Sequence, residues 1–335
     1  MKNLRIILFP FSFLYWLIIL FRKLLYNAGF LSKYHSNKKI ISIGNINTGG
    51  TGKTPFTIFV SKYFLSQGKT IGILSRGYGR KEKGFNIVYN NGLAGDITNS
   101  GDELIMIAYN LEKEFKKKII IIADDNKKNG IKYLEKENVD LIILDDGFQS
   151  DYINKDLEIV LIDTEEMISN RIQDNLLLPA GNLRVPKSYL KNADIIIQNN
   201  KSKNYSSLKS EYVVCEYISE NIYDYNNKII DLKDKKVIAV SAIAKPNSFL
   251  NSINRIGIIP IKSINYKDHF DYSKIQLNEL LNKFNPEFII TTEKDMVKII
   301  EIISEEEKNK FCYLKLELKV SINEDILLKQ LNKFV

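Results

Sequence analysis

Residues 40–56 read IISIGNINTGGTGKTPF, and this stretch decides the fold. An apolar run (Ile40, Ile41, Ile43) leads into a loop holding Gly49, Gly50 and Gly52, and an apolar, helix-like segment opens at Phe56. Strand, glycine-rich loop and helix in that order form the context in which a Walker A loop works. The glycines let successive backbone N–H groups turn inward around phosphate oxygens, and the helix N-terminus adds a favourable dipole. Lys53 would reach the β- and γ-phosphates, and the Thr54 hydroxyl would ligate Mg²⁺. The candidate nucleotide-binding residues are therefore Asn47, Thr48, Gly49, Gly50, Thr51, Gly52, Lys53 and Thr54. Asn47 stands where the pattern has its first glycine; asparagine tolerates left-handed backbone, so the loop can still close. The competing reading is a glycine-rich turn with an incidental lysine.

The same pattern repeats downstream. Short apolar runs at 70–74, 118–122, 140–144, 158–162, 194–197, 237–240 and 288–290 are bounded by turns and separated by longer mixed segments. Runs of four to six apolar residues read as strands buried on both faces, and helices between them make βαβ units with a mainly parallel sheet. The polar stretch 198–210 predicts a boundary between a first α/β domain and a smaller second one. The division expected is 1–30 for an N-terminal segment, 31–200 for the nucleotide-binding domain and 201–335 for the smaller domain.

Two carboxylates close the run LIILDDG at 141–147, the Walker B form. Strand C-termini line the ligand crevice of a doubly wound sheet, which would bring Asp145 and Asp146 near a metal held by Thr54. Adjacent side chains on a strand point opposite ways, so the two would have different partners. Asp102 and Glu103 precede the apolar segment 104–111 and by themselves read as a helix cap. Arg76 and Arg80, amid glycines after the run 70–74, suit either an anionic ligand or a tight turn.

Composition excludes several classes. The 335 residues are 44% hydrophobic and 11% aromatic, enough for sizeable cores and too much for a wholly disordered chain. The 48 basic and 40 acidic residues leave a net charge of +8, but the lysines are scattered, so no nucleic-acid partner is expected. Cys215 and Cys312 lie far apart, which excludes a disulfide framework and a cysteine-type zinc site. At the N-terminus, residues 6–21 are apolar apart from Pro10 and Ser12 and are flanked by Lys2, Arg5, Arg22 and Lys23. Sixteen helical residues would span about 24 Å, short of the ~30 Å hydrocarbon core. A short span, an interfacial helix and a buried core helix all stay open. A signal peptide would need a small-residue cleavage site, which the sequence after Phe21 does not supply.

NTGGTGKTP, SRGYGR, GDE, LDDGFQ, LLPAGNLR, the Asp268-His269 pair and TTEKDMVKI occur in that order. Together they resemble the tetraacyldisaccharide 4′-kinase (lipid A 4′-kinase) family, over about residues 41–300 and the N-terminal apolar segment. The resemblance implies ATP-dependent phosphorylation of the 4′-hydroxyl of a tetraacyl disaccharide 1-phosphate, with Mg²⁺, at the cytoplasmic face of the inner membrane. It implies a P-loop NTPase-like parallel-sheet domain, a smaller Rossmann-like α/β domain and a membrane-anchoring N-terminal helix. By matching motif, Lys53 and Thr54 would hold phosphate and metal, with Asp145 and Asp146 as the Walker B pair. Asp102 would take the acceptor's proton, with His269 its partner in a catalytic dyad. Arg76, Glu103, Gln149 and Arg184 would line the cleft. No protein partner is evident.

The family usually shows GDEP, LRE, DHH and DDGFQH; Leu104, Val185, Phe270 and Ser150 stand at the departing positions here. Val185 removes a carboxylate, and Ser150 and Phe270 remove histidines that could substitute for His269. Two other readings compete. A GTPase needs a base-reading Asn-Lys-x-Asp, and Asn200-Lys201-Ser202-Lys203 lacks its acid. A membrane-anchored ATPase that phosphorylates nothing would use Lys53, Thr54 and Asp146 but need neither Asp102 nor His269.

Overall fold

The computed structural model describes residues 2–77, 80, 82–94, 100–115, 118–169, 171–200, 208–218, 220–243, 246–268 and 270–335. The strands among them are β1 (Lys39–Asn45), β2 (Ile71–Ser75), β3 (Asn86–Asn90), β4 (Leu93–Ala94), β5 (Ile119–Ala123), β6 (Leu141–Asp145), β7 (Leu157–Asp163), β8 (Ile195–Asn199), β9 (Val213–Ile218), β10 (Ile222–Asp224), β11 (Ile229–Ile230), β12 (Val237–Ser241), β13 (Lys262–Asn265), β14 (Phe288–Thr292), β15 (Phe311–Leu314) and β16 (Glu317–Ile322). The helices are α1 (Phe9–Asn27), α2 (Lys53–Ser66), α3 (Asp102–Phe115), α4 (Lys127–Leu134), α5 (Thr164–Ile168), α6 (Pro246–Arg255), α7 (Lys274–Phe284), α8 (Glu293–Ile299), α9 (Glu305–Lys308) and α10 (Glu324–Leu331).

The strands form two sheets. The larger runs β16-β9-β8-β7-β1-β6-β2-β5-β3-β4, parallel from β9 to β5 and antiparallel at its β16 and β3–β4 edges. Alternate residues of one strand face opposite cores: Ile41, Ile43, Ile71 and Ile73 pack in one cluster with Phe56 and Leu104, whereas Ile40, Leu74, Ile120 and Ile142 pack in another with Ile131. Burial on both faces is why these strands read as continuous apolar runs. The smaller sheet runs β11-β10-β15-β14-β12-β13 and has its own two core clusters. Its strands β13, β12, β14 and β15 are parallel.

The boundary expected after residue 200 does not coincide with the sheets. β9 pairs parallel with β8, and β16 returns from the far end of the chain to pair with β9. The second sheet is thus inserted between 222 and 314, and 198–210 leads from one strand to its neighbour. Val213, Cys215, Val320, Leu327 and Leu331 all belong to the first sheet's core, which is the physical reason the C-terminus comes back.

α1 follows a 3-10 segment (Lys2–Leu8), with Pro10 in its first turn, where a missing N–H costs nothing. The apolar helical stretch is therefore longer than the sequence run: Arg5–Asn27, 23 residues, about 34 Å. One side is fastened to the body. The Ser12 hydroxyl donates to Leu177 O at 2.9 Å and accepts from the Ala180 N–H at 3.0 Å, Tyr15 donates to Arg184 O, and Arg22 pairs with Asp151 at 2.6 Å. The other side leaves Phe11, Phe13, Leu14, Ile18 and Phe21 more than half exposed. The buried-core-helix reading is overturned by that face.

Candidate active site

In the large sheet, β1 lies between β6 and β7, where the chain's winding reverses, and the C-terminal ends of β1, β2, β6, β7 and β8 converge on one edge. The 46–52 loop rises from that edge and is tied on both sides. The Thr48 N–H donates to Asn182 O at 2.7 Å and the Arg184 N–H to Ile46 O at 2.7 Å. From the other side Asn199 Nδ2 donates to Thr51 O at 2.7 Å, and Asn45 Nδ2 to Thr51 Oγ1 at 3.0 Å. Gly52 caps α2 with φ +90°, and a Cβ there would meet Tyr217 Oη at 1.8 Å. Only glycine satisfies both the backbone and the space.

The two carboxylates divide as adjacent residues must. Asp145, 1% exposed, accepts from Thr57 Oγ1 and Ser75 Oγ, each at 3.1 Å. Burial, with Glu103 adding to it, pushes its carboxyl up to about 6. Asp146 has left the strand with φ +56° and turns toward the loop. Arg184 Nη1 reaches both of its oxygens (2.9 and 2.7 Å), and Lys53 Nζ lies 3.6 Å from Oδ1. Burial alone would raise this carboxyl, but Lys53, Arg184 and Lys127 outweigh it and hold it at about 2. Lys53 itself is mostly covered, with 13% of its side chain exposed.

Lys127, at the start of α4, went unnoticed in the sequence because it sits in an ordinary run of lysines. Its ammonium is buried under the Asp145–Asp146 turn and donates to both carbonyls, at 3.2 Å to Asp145 O and closer to Asp146 O. Burial lowers it to about 8 against the pull of the two aspartates. Asn199 was equally silent, being only the polar end of an apolar run.

Other expected residues take different places. Gln149 Nε2 donates to Asn45 O at 2.6 Å, so its amide braces the end of β1. Arg80 is committed to Asp125 at 2.8 Å and to Gly84 O, which favours the tight-turn reading for that arginine. Arg76 is exposed just past β2, at the same edge as the loop. Asp102 and Glu103 open α3. Asp102 Oδ2 lies 2.6 Å from Lys298 Nζ, from α8 of the smaller sheet's body. His269 lies outside the described residues. The TTEKD segment caps α8: the Asp295 N–H donates to Thr292 Oγ1, and Asp295 Oδ2 accepts from the Ala242 N–H at 3.0 Å and the Thr292 hydroxyl at 2.7 Å.

The edge can hold a polyanion between loop N–H groups, Lys53 and Arg184, with Asp102 facing the junction of the two bodies. Comparison with known proteins gives the family. The family model described as tetraacyldisaccharide-1-P 4′-kinase matches residues 4–335. The chain belongs to the tetraacyldisaccharide 4′-kinase family. Members of that name from Wigglesworthia glossinidia brevipalpis and Aquifex aeolicus are 35% and 34% identical, each over 88% of this chain and over 77% and 90% of their own. The crystal structure of Aquifex aeolicus LpxK in complex with ATP superposes with a TM-score of 0.80 at 30% identity, covering 99% of both chains. Against the family pattern, Val185 is packed with Ile19, Ile46 and Phe148 in the apolar cluster beneath α1. Phe270 stacks on Tyr266 with ring centroids 4.3 Å apart. Both departures are accommodated by apolar packing.

Proposed function

We propose that this 4′-kinase family member transfers the γ-phosphoryl group of ATP to the 4′-hydroxyl of a tetraacyl disaccharide 1-phosphate in lipid A synthesis. The observation that carries the reading is the convergence of Lys53, Asp145, Asp146 and Arg184 on the glycine loop, with Glu103 close enough to perturb Asp145. Asp102, its neighbour in the first turn of α3, is read as facing the acceptor at the same cleft. The loop acts as a P-loop, in which backbone N–H groups and Lys53 neutralise the phosphate oxygens. Lys53 trades its 3.6 Å contact with Asp146 for the nucleotide, and Arg184 keeps Asp146 paired meanwhile. Asp102 accepts the proton of the 4′-hydroxyl. The 4′-oxygen bonds to the γ-phosphorus, the bond to the β–γ bridging oxygen breaks, and ADP leaves. His269 is the candidate partner that holds or relays that proton.

Thr54, Asp145 and Asp146 would hold Mg²⁺. The donor set fits: all oxygen, with one buried carboxylate that accepts from two hydroxyls and whose raised affinity for its proton a cation would offset. Bound there, the ion would supply charge neutralisation on the transferring phosphate.

The reading extends to the architecture. Residues 1–30 anchor the enzyme, the large sheet is the nucleotide-binding domain, and the inserted sheet is a Rossmann-like domain that completes the substrate cleft. α1 lies in the interface at the cytoplasmic face of the inner membrane, because its fastening from Ser12 to Arg22 would otherwise draw residues 149–184 into the hydrocarbon.

The test is transfer of labelled γ-phosphate from ATP to the lipid in detergent with Mg²⁺, for wild type beside Asp102→Ala. Label on the lipid with wild type and at least about 100-fold less with the variant is expected from loss of a general base. No label from a folded, ATP-binding wild type would overturn the reading.

A further inference from the structure

We propose that Lys298 is the positioning residue that aims the Asp102 carboxylate at the acceptor, through one ammonium shared by the two sheet bodies. The inference rests on the reading of Asp102 as proton acceptor. Lys298 stands in the last turn of α8, and its Nζ lies 2.6 Å from Asp102 Oδ2 in the first turn of α3. The same Nζ donates to Phe270 O at 3.2 Å. That carbonyl belongs to a turn closed by the Phe270 N–H on Lys267 O at 3.1 Å and braced by the packing of Phe270 on Tyr266 and Tyr272. In the sequence His269 is the residue immediately before Phe270. One ammonium therefore holds both the Asp102 carboxylate and the Phe270 carbonyl.

The presentation of Lys298 is rigid. α8 starts from a Thr292 cap, Asp295 fastens it to Ala242 at the end of β12, and Glu293 accepts from Asn110 Nδ2 of α3 at 2.9 Å. The ion pair is also covered, with 12% and 17% of the two side chains exposed. Burying two charges returns little net stability, so such a pair is better explained by the geometry it fixes. A carboxylate that must meet an incoming hydroxyl gains from having its rotation fixed by a contact at one oxygen. In sites of this kind a misplacement of about 1 Å costs about 10²-fold in rate. Lys294, one turn earlier on the same helix, lies 3.4 Å from Asp268.

The experiment is a double-mutant cycle on the full-length enzyme in detergent, with kcat and KM measured for ATP and lipid. Lys298→Met is expected to lower kcat about 10- to 100-fold with KM for ATP changed less than about 2-fold, and Lys298→Arg to recover most of the loss. Added to Asp102→Asn, Lys298→Met should cost nothing further, because the group it aims has gone. An equal fold-loss in both backgrounds would make Lys298 a structural clasp and overturn the proposal. So would wild-type kcat in Lys298→Met beside an inactive Asp102→Asn. Wild-type kcat in Asp102→Asn would instead sink the reading of Asp102 and take this proposal with it. If Met at 298 prevents folding, the same cycle is read with Lys298→Gln.

Discussion

The loop at 46–52 and the seam between α3 and α8 are both parts of the candidate site, but they are held by different means. The loop is fixed largely by backbone groups: Thr48 N–H on Asn182 O, Arg184 N–H on Ile46 O, and the Thr51 carbonyl on Asn199. These supports come from β8 and from the 182–184 segment between β7 and β8. The seam joins two sheets through side chains: Lys298 to Asp102, Asn110 to Glu293, and the Tyr109 hydroxyl to Tyr225 O at 3.0 Å. A phosphate cradle can be pre-formed because its ligand has the same geometry in every turnover. An acceptor site built between two bodies can adjust as a bulky lipid enters and leaves. Changes in the loop should therefore abolish chemistry or binding outright, and changes in the seam should be graded.

The largest effect is expected at Lys53. Lys53→Met removes the cation proposed to face the phosphates and should lower kcat by at least about 10²-fold. Its melting temperature should move little, since Arg184 still pairs Asp146 through both oxygens. Steady-state transfer and a thermal melt on the same preparation check this. A large downward shift in the melt would show that the loop's lysine is structural, and the contrast with the seam would fail.

Gly52→Ala comes next. The new methyl group would fall 1.8 Å from Tyr217 Oη and 2.4 Å from Asn199 Nδ2, at φ +90°. The strain alone is worth about 1–3 kcal/mol, and relieving it means moving Asn199, which holds the Thr51 carbonyl. Nucleotide affinity by calorimetry and the melting temperature should fall together. Loss of affinity with an unchanged melt would mean that the loop adapts locally.

The same contrast explains what could be read from the sequence. β1, β2, β5 to β8, β12 and β14 were legible because strands buried on both faces must be continuously apolar. The loop and Asp145–Asp146 could be singled out because a phosphate-binding loop of the proposed kind demands particular residue types in a fixed local order. Asn199 and Lys127 were not legible, since each acts on a partner distant in the chain and carries no local pattern; Lys298 lies within TTEKDMVKI, but nothing in that segment points to Asp102. The return of β16 to the first sheet was hidden for a like reason: an edge strand paired on one side is mixed in polarity, and its partner is set by tertiary packing. The face of α1 was ambiguous because an apolar helix reads alike whether protein or lipid covers it. His269 and Asp102 drew their roles from the family resemblance, beyond anything their own spacing implied, whereas Arg76 already suited an anionic ligand by its place amid glycines after a strand.

The smallest expected effect lies in the seam and concerns pH. Glu293 is 5% exposed, and burial raises its carboxyl above the ordinary 4.5 despite the hydrogen bond from Asn110 and the more distant Lys315 and Lys62. An acid raised in the folded state is bound to its proton more tightly there than in the unfolded chain. Its contribution to stability is therefore complete below pH 4.5 and is lost as the pH climbs through the raised value. Gln at this position keeps an acceptor for Asn110 and never ionises. Glu293→Gln should then gain in melting temperature on wild type as pH rises from about 4 to 7, by a few degrees at most, with kcat reduced no more than several-fold. A constant difference across that range would mean that Glu293 stays ionised in the fold and that the seam carries a paired charge. In that case the junction would be fixed electrostatically, like the Lys53–Asp146–Arg184 cluster, and the two regions would be more alike than their hydrogen bonds indicate.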